Sequence, residues 1–185
     1  GTYITYALAE QDVKLALVAY PGAELEVLCQ RVKRQGVQAA FLSADLRDPA
    51  QRHSVLDFVN KEFGEVDVLV NNAGVEFTSA YDDLSEQNIE DILRVNLEAP
   101  MVLTRLVLPE MLRRGHGHVV NVSSLAGKAG PAYQEPYAAS KAGFARSELA
   151  AQVDDHARFQ AARQRAAQAQ GLGFAERDPT ADVEG

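Results

Sequence analysis

The stretch "VDVLVNNAG", from Val66 to Gly74, is an apolar run that ends abruptly in small and polar residues. Valine and leucine fall on both faces of the strand that this run predicts, as in a sheet covered by helices on each side. Asn71, Asn72 and Gly74 are typical of turns, so the strand ends there. The stretch therefore favours an inner strand of a parallel sheet.

Three further apolar runs extend this pattern in both directions along the chain. Lys14–Tyr20 and Val37–Ala44 precede the first stretch, and Gly117–Ser123 follows it, with helical stretches between them. Such alternation implies right-handed βαβ units and a doubly wound parallel sheet of the α/β class. We expect the spatial order Val37–Ala44, Lys14–Tyr20, Val66–Val70 and Gly117–Ser123, with or without a gap between the middle two.

The helices between these strands carry recognisable start and stop signals. Asp48 as the N-cap and Pro49 as the first residue predict a helix that ends at Gly64. Three more are expected: one between Pro21 and Gly36 with Leu25, Leu28 and Val32 on its apolar face, one over Ser85–Arg114, and one from Pro136 past Ala150.

The composition limits the classes of protein that fit. The 185 residues are enough for one domain with a substantial core, and 46% of them are hydrophobic. A formal net charge of -8 argues against a nucleic-acid partner, because phosphate binding needs clustered Lys and Arg. No apolar run reaches the ~18 residues of a membrane span, and no signal peptide is recognisable. The single cysteine, Cys29, allows no disulfide within the chain, and we expect a cytoplasmic protein.

Small or polar residues follow three of the predicted strands. Asp45 comes after the second strand, Asn71–Gly74 after the third, and Ser123–Ser124 after the fourth. In parallel α/β sheets, ligands bind beyond the carboxyl ends of the strands. Each of these residues alone is typical of an ordinary turn. Together, at one edge of a sheet, they favour a binding site.

Tyr137 and Lys141 are four residues apart on the last predicted helix, so they lie on one face. A tyrosine phenol has a pKa of about 10. A neighbouring ammonium lowers that pKa and makes the phenol a usable general acid or base. A serine hydroxyl from the preceding strand end can hold a carbonyl oxygen beside it. The same Tyr–Lys spacing is common in ordinary amphipathic helices, so its meaning depends on the motifs around it.

Three such motifs are "NNAG" (71–74), "RVNLEAP" (94–100) and "VVNVSSLAG…YAASK" (119–141). In this order and spacing they resemble the short-chain dehydrogenase/reductase family. The resemblance covers roughly Gly1 to Leu149. It implies a Rossmann-like fold and hydride transfer between the nicotinamide of NADP or NAD and a small carbonyl or alcohol substrate.

The resemblance also implies roles for individual residues. Tyr137 matches the proton donor and acceptor, and Lys141 matches the residue that holds the nicotinamide ribose and lowers the tyrosine pKa. Ser124 matches the serine that orients the substrate, with Ser123 as a structural neighbour. Asn96 matches a fourth catalytic residue, which supports a proton-relay water. The implied cofactor-binding residues are Gly1 at the pyrophosphate, Asp45 and Leu46 at the adenine, Asn72, Ala73 and Gly74 along the adenosine ribose, and Tyr137 and Lys141.

The choice between NADP and NAD depends on the residues that follow the first run. Ala19 and Tyr20 stand where an acidic residue would bind the free ribose hydroxyl of NAD. NADP is therefore slightly favoured, although no arginine is present there to bind a 2′-phosphate. No metal is expected, since His116 and His118 lie in a glycine-flanked turn that we interpret as solvated.

The chain departs from the family at both ends. Alignment of "YALAEQD" with the family's first helix makes Gly1 the last glycine of the TGxxxGxG loop, so we expect the family's first, central strand to be missing. We expect a truncated domain over residues 1–149, then a long helix and an acidic tail over 150–185. Gly171–Gly185 resembles a segment of homoserine dehydrogenases, and the interpretation that we favour is a tail without function.

The leading interpretation is an NAD(P)-dependent oxidoreductase of the short-chain type that acts on a carbonyl or alcohol. The alternative is a non-catalytic remnant that serves only in self-association; measurable cofactor binding separates the two. In the family the helices around Glu86–Arg113 and Pro136–Leu149 contact partner subunits, which implies a homo-oligomer. Because Gly1 alone represents the phosphate loop, we expect this chain by itself to turn over little substrate.

Overall fold

The computed structural model describes residues 1–146, all within one compact unit that spans Gly1–Leu149. Strands and helices alternate along the chain, which confirms the predicted α/β class. The helices are α1 (Thr2–Ala9), α2 (Ala23–Lys33), α3 (Pro49–Phe63), α4 (Glu86–Leu93), α5 (Ala99–Arg114) and α6 (Glu135–Arg146). The strands are β1 (Leu15–Ala19), β2 (Ala39–Ser43), β3 (Val68–Asn71) and β4 (His118–Asn121).

The four strands form two parallel pairs instead of one continuous sheet. In the first pair β1 lies beside β2, with Leu15 opposite Ala39. In the second pair β3 lies beside β4, with Asn71 opposite Asn121. The predicted pairings and their parallel direction are confirmed. Within the described residues no strand pairing joins β1 to β3, so the gap that the prediction allowed for is present.

A shared apolar core holds the two pairs of strands together. Helices α3 and α5 pack against each other, α3 covering β1 and β2 while α5 covers β3 and β4. Burial of apolar surface is non-directional and needs no strand hydrogen bonds. It can therefore fix the two pairs beside each other across the gap. The buried cluster consists of Ala44, Leu46, Val55, Ala99 and Leu103, with Val18, Leu42 and Leu69 from the strands packed against it.

Helix α3 has the limits that its sequence predicts. The Asp48 side chain accepts a hydrogen bond from the Ala50 amide at 2.8 Å, and Pro49 is the first helical residue. Gly64 ends the helix at a φ of 84°, a conformation that residues with a side chain rarely adopt.

Helix α2 buries a slightly different face from the one predicted. Leu25 and Val32 are buried as expected. Leu28 is only half-buried, and Cys29 is fully buried beside Val32 instead. Two of the three predicted positions are therefore correct, and the third buried position is one residue further along the helix.

The helical region predicted over Ser85–Arg114 contains an irregular turn. α4 runs into a π-helical segment, Arg94–Glu98, and then into α5 without a break. The Ser85 side chain caps α4 by accepting a hydrogen bond from the Asn88 amide. The π-helical segment places Asn96 on the inner side of the helix, where it is 1% exposed.

One expectation about the strands is wrong. The run at Val66–Gly74 was predicted to be covered on both faces, yet Val68 in β3 is 49% exposed and Val120 in β4 is 45% exposed. These residues lie on the face opposite Leu69, which packs into the core. The second face of this pair is therefore partly open to solvent.

Several predictions fall on residues outside those that the structure describes. They are the continuation of the last helix past Ala150, the helical and acidic tail over 150–185, and the segment Gly171–Gly185. Among the described residues, no helix is both long and apolar enough to cross a membrane.

Candidate active site

The predicted site residues lie at the carboxyl ends of the strands. Asp45 follows β2, Asn72 to Gly74 follow β3, and Ser123 and Ser124 follow β4. Because parallel strands share one carboxyl edge within each pair, these residues belong to the edge where α/β sheets bind ligands.

Lys141 is one of two buried side chains among the candidate catalytic residues; the other is Asn96. Lys141 is 5% exposed, and its Nζ donates a hydrogen bond at 3.1 Å to the carbonyl of Val122, just after β4. Burial lowers the pKa of the Lys141 ammonium. The Nζ lies 5.8 Å from the centre of the Tyr137 ring, which confirms that the two side chains share one face of α6.

Gly74 brings the end of β3 against the same lysine. A Cβ on Gly74 would lie 3.3 Å from Asn96 Oδ1 and 3.7 Å from Lys141 Nζ. The absence of a side chain therefore lets the backbone after β3 approach both predicted catalytic residues closely. Gly74, Asn96 and Lys141 therefore lie close together, although the resemblance had assigned Gly74 to the adenosine ribose.

Asn96 ties that backbone to α6. Its Oδ1 accepts a hydrogen bond from the Val75 amide at 2.8 Å, and its Nδ2 donates to the Val75 carbonyl at 2.9 Å. The Nδ2 also donates to Ser140 Oγ at 3.2 Å, and Ser140 is fully buried. Both N–H groups of the Asn96 amide are therefore bonded to protein atoms, which fixes the side chain.

The two serines after β4 are oriented differently. Ser123 Oγ donates to the carbonyl of Lys141 at 3.4 Å, so it contacts the helix backbone. Ser124 Oγ accepts a hydrogen bond from the Ala126 amide at 3.2 Å and caps a short 3₁₀ turn, Leu125–Gly127. A hydroxyl that accepts one hydrogen bond keeps its own O–H free to donate to a ligand.

Gly127 sets how closely that 3₁₀ turn packs on α6. A Cβ there would lie 2.8 Å from the carbonyl carbon of Lys141 and 2.9 Å from the amide nitrogen of Ala142. Only a residue without a side chain allows this contact between the two backbones. The sequence motif contained this glycine, but its close approach to Lys141 was not predicted.

Asp45 is part of an ion-pair network that sequence reasoning did not anticipate. Its carboxylate accepts hydrogen bonds from Arg47 at 2.6 to 3.0 Å, and the Arg47 guanidinium also binds Asp91 of α4 at 2.7 Å. The hydrogen bonds from Arg47 hold the pKa of Asp45 below its usual range. Surface arginines are common, so the sequence gives no signal for this pairing.

Leu46, the second residue predicted at the adenine, has its side chain in the core. It is 9% exposed, and its carbonyl accepts a hydrogen bond from Arg52 Nε at 2.5 Å. The structure shows no contact that joins Asp45 and Leu46 to Tyr137 or Lys141 among the described residues. These two residues, predicted at the adenine, are therefore separate from the residues predicted to be catalytic.

Gly1 lies beside the end of β3. It is the N-cap of α1, and a Cβ on it would lie 3.3 Å from Asn72 Nδ2. The free amides of the first turn of a helix suit an anion such as a pyrophosphate. Gly1 and the side-chain-free backbone at Gly74 both lie at the end of β3. This arrangement fits a dinucleotide that binds along the carboxyl ends of the strands.

Comparison with known proteins places this geometry in a family. The family model described as short chain dehydrogenase matches residues 1–157. The chain belongs to the short chain dehydrogenase family. Its Rossmann-like fold of parallel strands and helices also matches solved members. One is a metagenomic short-chain oxidoreductase solved in complex with NADP, with a TM-score of 0.75 and 31% identity, over 79% of this chain and 66% of that one.

Two relatives show how much of the length of a family member this chain covers. The ketoacyl reductase HetN of Nostoc sp. is 40% identical over 144 residues, which are 78% of this chain and 50% of that protein. The 3-oxoacyl-[acyl-carrier-protein] reductase FabG of Staphylococcus aureus is 32% identical over 145 residues, 77% of this chain and 58% of that protein. The chain thus spans about half the length of the curated relatives it matches. The family model ends before the segment Gly171–Gly185, so the resemblance to homoserine dehydrogenases has no support from it.

Proposed function

We propose that this protein is an NAD(P)-dependent oxidoreductase that interconverts a carbonyl compound and an alcohol. The observation that carries the proposal is the position of Lys141, buried at the end of β4, with its Nζ 5.8 Å from the Tyr137 ring centre. An ammonium in a poorly solvated place acts on its neighbours more strongly than one in water. Such a position favours a role for Lys141 in proton transfer. A lysine on an ordinary helix surface would be exposed to solvent.

Tyr137, Lys141 and Ser124 act at the reacting groups in this proposal, Lys141 also binds the nicotinamide ribose, and Asn96 positions the others. Tyr137 gives its phenolic proton to the carbonyl oxygen, and the same residue takes that proton back in the oxidation. Lys141 stabilises the phenolate that remains. Ser124 donates its hydroxyl to the carbonyl oxygen and orients it. Asn96 holds the Gly74–Val75 backbone and α6 in register, so that these groups stay in place.

The cofactor supplies the remaining chemistry. Bound NADPH or NADH provides the hydride that the carbonyl carbon receives, so that carbonyl, hydride and the Tyr137 proton together give the alcohol and oxidised cofactor. Gly1 and the first turn of α1 would hold the pyrophosphate. Asp45 and Leu46 would hold the adenine, and Asn72, Ala73 and Gly74 the adenosine ribose. The family member solved with NADP, and the lack of an acidic residue at Ala19 and Tyr20, support NADP over NAD.

Ketoacyl compounds are the substrates that we propose first. Two relatives are named as ketoacyl or 3-oxoacyl reductases, and one of them is 40% identical. We also propose that copies of the chain associate through the long helical region. Leu93 is 40% exposed and Met101 is 52% exposed, so this region carries large apolar side chains on its surface.

Cofactor binding and turnover together test the proposed function. NADPH fluorescence and thermal stabilisation should both report binding, since a ligand that binds the folded state raises its stability. A form with a family strand and TGxxxGxG loop added ahead of Gly1 should also oxidise NADPH in the presence of a ketone, whereas the chain by itself should turn over little. The chain should be tested as it is and with a strand and TGxxxGxG loop of a family member added ahead of Gly1. Absence of binding and turnover in both forms would contradict the proposal.

A further inference from the structure

The segment after β3 runs along the start of α6. Near one end Gly74 lies against Lys141, and Val75 is hydrogen-bonded to Asn96. Further along, Gln134 Nε2 donates to Glu76 Oε1 and to Thr78 Oγ1. From Gly74 to Thr78 the segment therefore runs antiparallel to the helix, from beside Lys141 to beside Gln134.

This path brings the Glu76 carboxylate to Gln134, three residues before the predicted proton donor Tyr137. Gln134, Tyr137 and Lys141 are spaced at i, i+3 and i+7, so they line one face of the helix and its first turn. Gly74 marks the Lys141 end of that face, and Glu76 marks the Gln134 end. Tyr137 lies between them, and one helical turn is only about 5.4 Å long.

Hydrogen bonds hold the Glu76 carboxylate in this place. Oε1 accepts from Thr78 Oγ1 at 2.5 Å and from the Gln134 amide. The Ser79 amide donates to the Tyr133 carbonyl at 3.2 Å, which fixes the same two stretches of chain to each other a second time. The carboxylate is thus held between its own segment and the residue that precedes α6.

The anchoring groups are neutral, and Glu76 itself is exposed to solvent. None of the ion pairs among the described residues includes Glu76. A fixed negative charge near the reacting carbonyl repels any second negative charge on the substrate. It has little effect on an uncharged substrate of the same shape.

We propose that Glu76 is a specificity-determining residue that makes the enzyme discriminate against β-keto acid anions. The substrates it admits are β-keto esters, amides or thioesters, in which the group beside the carbonyl carries no charge. This inference rests on the proposed reductase function and narrows its substrate class.

A pair of substrates that differ chiefly in charge tests the inference. Acetoacetate and acetoacetamide share a carbon skeleton, and kcat/KM with NADPH is measured for both at pH 7.5. We expect the amide to be favoured over the acid, and Glu76→Gln to reduce that ratio roughly three- to tenfold. The matched control is Glu62→Gln, which removes the same charge from an exposed position on α3. It should keep the wild-type ratio.

Ionic strength supplies a readout that a purely steric role would not change. Raising the salt from about 50 mM to about 500 mM screens exposed charges. The amide-to-acid ratio should therefore fall in the wild type and in Glu62→Gln, and stay constant in Glu76→Gln. An unchanged ratio in Glu76→Gln, while acetoacetamide is still reduced, overturns this inference and leaves the reductase intact. If neither compound is reduced or binds in the presence of NADP+, the proposed function fails, and the inference that rests on it fails too.

Discussion

At the scale of single residues, the buried ammonium of Lys141 has a consequence for stability as well as for catalysis. The side chain is 5% exposed, and none of the ion pairs among the described residues includes it. Its Nζ is bonded to the neutral carbonyl of Val122. Burial without an anion disfavours the charged form, which is why the pKa of Lys141 is lowered from 10.5.

Stability should depend on pH through this residue. Between the lowered pKa of folded Lys141 and its ordinary value, the unfolded chain binds more protons than the folded one, so stability rises with pH. The free energy of unfolding of the wild type should therefore rise relative to Lys141→Met as the pH is raised from 7 to 10. Urea unfolding at several pH values measures this difference.

The exposed residue Lys128 provides the control for that comparison. The difference between the wild type and Lys128→Met should stay constant over the same pH range. A wild type that loses stability relative to Lys141→Met as the pH rises would contradict the account of the buried ammonium.

At the scale of elements, the position of α6 depends on two contacts made by small residues. Gly127 packs on the helix backbone at Lys141 and Ala142. Ser140 is fully buried and bonds Asn96 from the π-helical segment. Together they set the distance from the end of β4 to the helix that carries Tyr137 and Lys141. π-helical turns are often found at functional sites, in keeping with this arrangement.

Substitution of Gly127 by alanine should displace α6. The added Cβ would lie 2.8 Å from the Lys141 carbonyl carbon, so one backbone must move. Overpacking of this kind costs about 1–3 kcal/mol of stability. We expect kcat to fall at least about tenfold as well, because catalysis is sensitive to ångström-scale misplacement. Unfolding curves and steady-state kinetics measure the two effects.

Gly130→Ala is the matched control, because the nearest atom to its added Cβ is 3.9 Å away, an ordinary contact. It should change stability by less than about 0.5 kcal/mol. Equal losses in the two variants would show that the Gly127 contact does not position α6.

The elements differ in how far their sequence could predict them. Asp48, Pro49 and Gly64 carry local signals, and the structure has α3 where these residues place it. The π-helical segment has no such signature, because it depends on a shift in backbone hydrogen bonding that ordinary residues allow. The burial of Arg52 was also not predictable, since an arginine in an amphipathic helix is normally exposed. The motifs singled out Gly74, Asn96 and Lys141, but not the close contact between them or the Asn96–Ser140 hydrogen bond.

At the scale of the whole molecule, polar bridges join the two pairs of strands alongside the apolar core. Arg52 of α3 is 1% exposed and binds Glu98 of the π-helical segment at 2.8 Å. Arg47 links Asp45, after β2, to Asp91 of α4. Since no strand pairing joins β1 to β3 among the described residues, these bridges and the apolar core help to join the two pairs of strands.

Loss of Arg52 should weaken that connection. Arg52→Met leaves the Leu46 carbonyl and Glu98 without their donor, and buried groups left unpaired cost about 1–3 kcal/mol. Glu98 is 52% exposed and can be hydrated, so Glu98→Gln should cost less than about 1 kcal/mol. Arg94→Met removes a surface pair with Glu90 and should cost less than about 0.5 kcal/mol. Urea unfolding that ranked Arg52→Met equal to Arg94→Met would contradict this account.

The central claim is that Tyr137 transfers a proton in a reductase built on this fold, and Tyr137→Phe tests it most directly. The test uses a full-length version, with the family's first strand and TGxxxGxG loop ahead of Gly1. The substitution removes the phenolic proton and little else, so kcat for NADPH-dependent ketone reduction should fall at least about 100-fold. The dissociation constant for NADPH should change less than about twofold. Lys141→Ala should impair both quantities, because one ammonium serves the ribose and the phenol. Retention of more than about a tenth of kcat in Tyr137→Phe would contradict the claim.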